Sequence, residues 1–129
     1  MDVEKLKEEM IKMKKWAVVG ATDNRSKYGY KIFKKLNDKG YIVHGVNPKY
    51  SEIEGYEIYN SIKDIPEKVE CVSVIVNPKI SNELLDDISD LGIKNVWFQP
   101  GSFDQDTIDK AKKLGINIVY YDCLYVELG

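Results

Sequence analysis

Four short segments concentrate residue types that suit phosphorylated ligands: Gly20-Ala21-Thr22-Asp23-Asn24-Arg25, Asn47-Pro48-Lys49, Asn77-Pro78-Lys79 and Gln99-Pro100-Gly101. Each follows an apolar run. Glycine lets a ligand approach the backbone, a threonine hydroxyl and an arginine guanidinium donate to phosphate oxygens, and free N–H groups at a helix N-terminus favour an anion. Arg25, Lys27, Lys49 and Lys79 make these segments a local basic patch, although 19 Lys and Arg against 21 Asp and Glu leave the chain at a net charge of -2. Tyr28 and Tyr30 flank the first segment, and Tyr28, nearer the loop, is the better candidate for a ligand contact. Singly these residues are ordinary, since Gly and Pro punctuate strands and loop lysines are solvated. Their joint placement after successive strands points to a polyphosphate ligand.

The dinucleotide fingerprint wants G-x-G-x-x-G between strand and helix, with an acid about 20 residues on for the ribose hydroxyls. Here the turn reads GATDNRSKYG, with only Gly20 and the later Gly29 in place, and the next strand runs into Val46-Asn47-Pro48-Lys49 instead of an acid. A lysine there suits an extra phosphate. An adenine nucleotide carrying a ribose phosphate is therefore favoured; coenzyme A (CoA) meets that description and NADP is the rival.

No Ser-His-Asp set, metal-ligand cluster or Walker lysine loop is visible, so no catalytic residue and no metal ligand is assigned. The sole histidine, His44, falls in a predicted strand, where packing or exposure on the sheet is its expected role. The slight net negative charge gives no overall basic field for nucleic acid or anionic lipid, and no RNP-type signature accompanies the aromatics. No apolar run approaches the ~20 residues of a membrane span, and MDVEKLKEEMIKMKK lacks the apolar stretch of a secretory signal. A cytoplasmic protein is expected, with Cys71 and Cys123 as free thiols. Cys71 reads as structural. Cys123 follows the last strand; a buried packing role is favoured over a mixed disulfide with the CoA thiol.

The elements that must position these loops follow from periodicity. Val3, Leu6, Met10 and Met13 recur at helical steps behind Asp2 as N-cap, making residues 1–14 an amphipathic helix that covers the sheet or pairs with another subunit. Lys15 to Gly20, Tyr41 to Val46, Cys71 to Val76, Asn95 to Phe98 and Ile116 to Tyr121 read as strands, with Glu57-Ile58-Tyr59 a short edge strand and Ser61 to Asp64 a helical turn. Helices are expected from Lys27 to Lys39, Ser81 to Leu91 and Asp104 to Leu114. Strands alternating with helices predict a doubly wound α/β architecture: one mainly parallel sheet of five to six strands between two helical layers. Ligands of such sheets bind beyond the carboxyl ends of the strands, where strand order reverses. The chain of 129 residues reads as one domain, able to bury roughly two thirds of its unfolded surface, without room for separate nucleotide-grasp and catalytic domains.

The segments AVVGATDNRSKYGY, VNPKY, DIPEKVECVSVIVNP, VWFQPGS and the closing Asp122, Cys123 and Glu127 carry a resemblance over nearly the whole chain. From about Trp16 to Glu127 the sequence resembles the small stand-alone CoA-binding proteins, relatives of the CoA-binding domain in succinyl-CoA synthetase alpha subunits and ADP-forming acetyl-CoA synthetases. The resemblance implies a three-layer Rossmann-like fold that binds CoA or acyl-CoA as carrier, sensor or partner subunit. Carried over by position, Gly20, Ala21, Thr22 and Arg25 would hold the diphosphate and Lys49, after Asn47 and Pro48, would lie near the 3′-phosphate. Val76, Asn77 and Pro78 would line the adenine and ribose, while Gln99, Pro100 and Gly101 would border the pantetheine arm. The synthetases use a phosphohistidine from a second domain that has no counterpart here. Binding without catalysis is therefore expected, with a homodimer or another protein as partner, and with an NADP-dependent oxidoreductase or a CoA-binding component of a multi-chain acyl-CoA ligase as the alternative.

Overall fold

In the computed structural model, which describes residues 2–129, each helix begins where the sequence offers a cap or a turn. Asp2 accepts a hydrogen bond from the N–H of Glu4 and starts α1 (Val3–Lys12), whose Leu6 and Met10 are buried. β1 (Lys15–Val19) leads through the first glycine loop into α2 (Tyr28–Asp38), which buries Ile32, Phe33 and Leu36. Then come β2 (Ile42–Val46), the hairpin of β3 (Glu52–Ile53) and β4 (Tyr56–Tyr59), and a 3-10 turn at Ile62–Asp64. β5 (Cys71–Val74), α3 (Pro78–Asp90), β6 (Asn95–Phe98), α4 (Gln105–Lys113), β7 (Asn117–Val119) and α5 (Leu124–Glu127) complete the chain.

The strand order is β3-β4-β2-β1-β5-β6-β7, and every pairing is parallel except β3 with β4. From β1 the chain winds outward through β2, then returns to the other side of β1 with β5. The switch point thus lies between β1 and β5. Alternating residues feed two cores. Ala17, Val19, Val72, Val74, Val96 and Phe98 pack toward Leu85, Ile88 and Ile108 of α3 and α4. Trp16, Val18, Cys71 and Trp97 pack toward Met10, Ile32, Phe33, Leu36 and Leu124 of α1, α2 and α5. Trp97 and Phe98 serve opposite layers, as their alternation along a strand predicts.

The mainly parallel, doubly wound sheet matches the expected fold class, with seven strands in place of five to six. The extra strand is β3, a two-residue element whose hairpin turn, Glu54-Gly55, has left-handed φ values of 50° and 88°. It makes β3, and not the Glu57–Tyr59 region, the sheet edge. Helix α3 begins at Pro78 instead of Ser81, because the Asn77 side chain accepts the Ile80 N–H at 2.9 Å and proline suits the first helical position. The last strand stops at Val119, short of Tyr121, whose φ of 82° turns the chain into α5, a helix absent from the sequence reading. No helix among the described residues is long and apolar enough to cross a membrane.

Candidate functional site

Backbone bonds continue the sheet ladder one residue past several strand ends: Gly20 N–H donates to the Val46 carbonyl at 2.9 Å, Ile75 to Val19 at 2.8 Å and Gln99 to Val74 at 3.0 Å. The four loops therefore leave the sheet side by side. Gly20 sits at their crossing with φ +105°, and a Cβ there would lie 2.6 Å from the Ile75 carbonyl oxygen. Gly29 performs the matching role on α2, where an added Cβ would collide with the Gly20 carbonyl. The two glycines bring the start of α2 down onto the end of β1. Lys27, the α2 N-cap, makes no side-chain capping bond, so the first-turn N–H groups of Tyr28 and Gly29 have no partner within the helix.

Two clefts meet at Gly20. One, of about 420 Å³, runs over the α2 face past Thr22, Ser26, Lys27, Tyr28, Gly29, Ile75, Gln99 and Pro100. The other, of about 250 Å³, opens on the α3 face between Val19, Val46, Asn47 and Pro48 on one side and Val76, Ile80 and Leu84 on the other, with Asn60 and Ser61 at its edge. Its walls are largely apolar. The first is lined by backbone and polar groups beside a helix N-terminus, where the dipole favours negative charge. A third cavity, of about 220 Å³ between Ile62, Ile65, Val69, Leu91 and Ile93, shares Ile62 with the apolar cleft and extends from it to segments that precede β5 and β6.

Side chains brace the loops. Asn47 donates from Nδ2 to the Ala21 carbonyl at 2.9 Å, while its Oδ1 accepts the Lys49 N–H at 2.9 Å. The Tyr50 hydroxyl donates to Asp23 Oδ1 at 3.0 Å, which leaves its oxygen to accept the Thr22 hydroxyl proton, also at 3.0 Å. Thr22 Oγ1 in turn accepts the Asn24 N–H at 3.2 Å. Its proton is committed to Tyr50. Arg25 is not part of the larger cleft's lining: Nη2 lies 3.4 Å from Glu54 Oε2, with the guanidinium 5.8 Å above the Tyr30 ring. The buried Gln99 turns its amide toward the chain end, donating to Cys123 Sγ at 3.0 Å and accepting from Leu124 N–H at 3.3 Å.

Of the residues expected in the site, Gly20, Thr22, Lys27, Tyr28, Asn47, Pro48, Val76, Gln99 and Pro100 line one or other cleft. Ala21 is buried beneath the first loop, with its carbonyl held by Asn47. Arg25, Lys49, Lys79 and Gly101 are exposed outside both linings, Asn77 caps α3 and Pro78 fills its first turn. Sequence reasoning missed Tyr50 and Glu54, which act across loops distant in sequence, and Ile75 and Ile80, whose apolar side chains carry no signal apart from position. Among the cysteines, Cys71 is wholly buried and burial pushes its thiol pKa up, whereas Cys123 is half-buried. His44 is half-buried on β2, against Tyr59 and 3.3 Å from Glu67.

A family model described as "CoA binding domain" matches residues 14–129. The chain is 29% identical over 119 residues to the ADP-forming acetate–CoA ligase II alpha subunit of Pyrococcus furiosus, covering 84% of this chain and 26% of that subunit. Five acetate–CoA ligase relatives are matched over only 16% to 28% of their length. Two of the solved structures that match along most of both chains come from Pyrococcus species. One is a conserved hypothetical protein from Pyrococcus furiosus (37% identity, TM-score 0.84, 88% of this chain and 98% of that one). The other is a hypothetical protein from Pyrococcus horikoshii (35% identity, TM-score 0.90, 98% and 89%).

Proposed function

The chain belongs to the CoA-binding domain family, and from that premise we propose that it binds CoA or an acyl-CoA across the carboxyl ends of β1, β2, β5 and β6, with no reaction of its own. The observation that carries this reading is the meeting of two unlike clefts at Gly20, one apolar and one beside an uncapped helix N-terminus. An adenosine fits the apolar cleft in character and size, with Val76 in its wall and Asn77 and Pro78 next to it at the start of α3. A diphosphate fits the loop between, where Gly20 and Ala21 offer backbone, and the N–H groups of Tyr28 and Gly29 and the cations of Lys27 and Arg25 supply donors. Thr22 joins them by moving its proton from Tyr50 to a phosphate oxygen. Lys49, exposed beyond the Asn47-Pro48 wall, is the cation for the 3′-phosphate. The pantetheine arm follows the larger cleft between Tyr28 and Gln99-Pro100, toward Gly101. Two free thiols suit the reducing cytoplasm that this reading assigns.

A second reading, the CoA-binding component of a multi-chain acyl-CoA ligase, is favoured by the 26% of the Pyrococcus furiosus alpha subunit that the chain matches. Either role requires CoA binding. Thermal unfolding with CoA, acetyl-CoA, NAD and NADP tests it, because ligand at 100 times its Kd adds about 2.7 kcal/mol and raises Tm by several degrees. Stabilisation by CoA is expected. Stabilisation by NADP and not by CoA would replace the proposal with an oxidoreductase reading.

A further inference from the structure

Glu54 occupies an unusual place for a carboxylate. It is the first residue of the two-residue turn between β3 and β4, with φ 50° followed by Gly55 at 88°. Hairpin turns of this hand favour Asn, Asp or Gly, and a long side chain there adopts a backbone conformation it visits rarely. The carboxylate is well held. Oε2 accepts the hydroxyl of Tyr30, a nearly buried residue of α2, at 2.7 Å. The same oxygen is the contact for Arg25 Nη2 at 3.4 Å, and the guanidinium lies 5.8 Å over the Tyr30 ring. Hydrogen bonding to Glu54 raises the Tyr30 pKa, which keeps the hydroxyl a donor throughout the neutral range.

We propose that Glu54 is a positioning residue: anchored by Tyr30, it holds the guanidinium of Arg25 beside the first glycine loop, ready for the ligand's phosphate. This rests on the reading above in which Arg25 meets the CoA diphosphate. The Arg25 side chain is 78% exposed and its pair with the 40% exposed Glu54 is a long one, so the contact contributes little to stability. Its effect belongs to binding. A long exposed side chain loses rotamer freedom when it grips a phosphate, and restraint beforehand lowers that cost. One of five guanidinium N–H donors engages Glu54, which leaves four for the ligand. A carboxylate that instead competed with the anion for the same arginine would make binding tighter on its removal.

Calorimetric titration of CoA into wild type, E54A, E54Q, R25A and the R25A/E54A double variant separates the two. Positioning predicts that E54A weakens binding roughly three- to tenfold, and that E54Q, whose amide oxygen still accepts from both partners, stays within about twofold of wild type. In the R25A background E54A should add nothing. Unchanged or tighter binding in E54A, a loss in E54Q as large as in E54A, or an undiminished loss in the R25A background would each overturn the proposal. Should E54A fail to fold, Y30F removes the anchor instead, and a loss confined to chains retaining Arg25 is expected. Wild type that binds CoA with R25A unaffected would overturn this role and leave the CoA reading standing. Wild type that binds no CoA would overturn both.

Discussion

Gly20 has neither the space nor the backbone for a side chain. A Cβ would lie 2.6 Å from the Ile75 carbonyl oxygen, and φ is +105°. Gly20→Ala is expected to lower stability by about 1–3 kcal/mol and to weaken CoA binding, with urea denaturation and calorimetry reading the two effects. An unshifted urea midpoint would mean that the loop relaxes freely. Arg25→Ala and Lys49→Ala are each expected to weaken CoA by about 1–3 kcal/mol, the scale of charge-assisted hydrogen bonds. Affinity unchanged in both variants would place the phosphates elsewhere. At this scale the sequence was legible in part: Gly20 and Gly29 bracket a strand-to-helix turn, and the Asn47-Pro48 stop announces a loop. The direction of Arg25 was not. It is set by Glu54, 29 residues away in a hairpin that no local pattern links to the first loop. Likewise Tyr50 takes the Thr22 proton across 28 residues.

The helices show how much their termini decide. Asp104 opens α4 with a reciprocal box, accepting the Thr107 N–H at 2.9 Å while the Thr107 hydroxyl oxygen accepts the Asp104 N–H at 3.1 Å. The Thr107 N–H foremost, then its hydroxyl, hold the Asp104 carboxyl below the usual carboxylate range. A lowered folded pKa contributes stability that is present above the unfolded value, about 3.9, and is lost as pH falls through the folded one. Asp104→Ala is therefore expected to lower the urea midpoint at pH 7, with the deficit shrinking below about pH 4. A penalty as large at pH 3 as at pH 7 would exclude the carboxylate as its source. Sequence periodicity locates α2 and α4 because about two and a half to three turns of helix are available to it. It started α3 three residues late, since Asn77-Pro78 reads equally as strand stop and helix start. The four-residue α5 and two-residue β3 are too short for any period, and only tertiary contacts define them.

Across the whole molecule, doubly wound topology brings four loops to one sheet edge and leaves a cleft on each face at the switch point. The opposite ends of the chain are joined by Lys7, a buried cation within 3.0 Å of Glu4, 3.2 Å of Asp122 and 2.8 Å of Glu127. Hydrogen bonding to Glu127 foremost raises the Lys7 pKa above lysine's ordinary 10.5. A raised folded pKa contributes stability that is present below the unfolded value and lost as pH rises through the folded one. Lys7→Met is thus expected to speed amide exchange in α1 and in residues 122–128 at neutral pH while sparing α3. On the alkaline side its stability deficit should shrink only above about pH 10.4. Exchange unchanged at both termini would leave Lys7 without this role. Beyond these supports, the reading of the sheet edge as a CoA site is tested most directly by titrating CoA, dephospho-CoA and NADP into the wild-type protein by calorimetry. One CoA per chain is expected to bind, with dephospho-CoA weaker for want of the phosphate assigned to Lys49, and NADP weaker than CoA. No heat with CoA, or tighter binding of NADP, would contradict it.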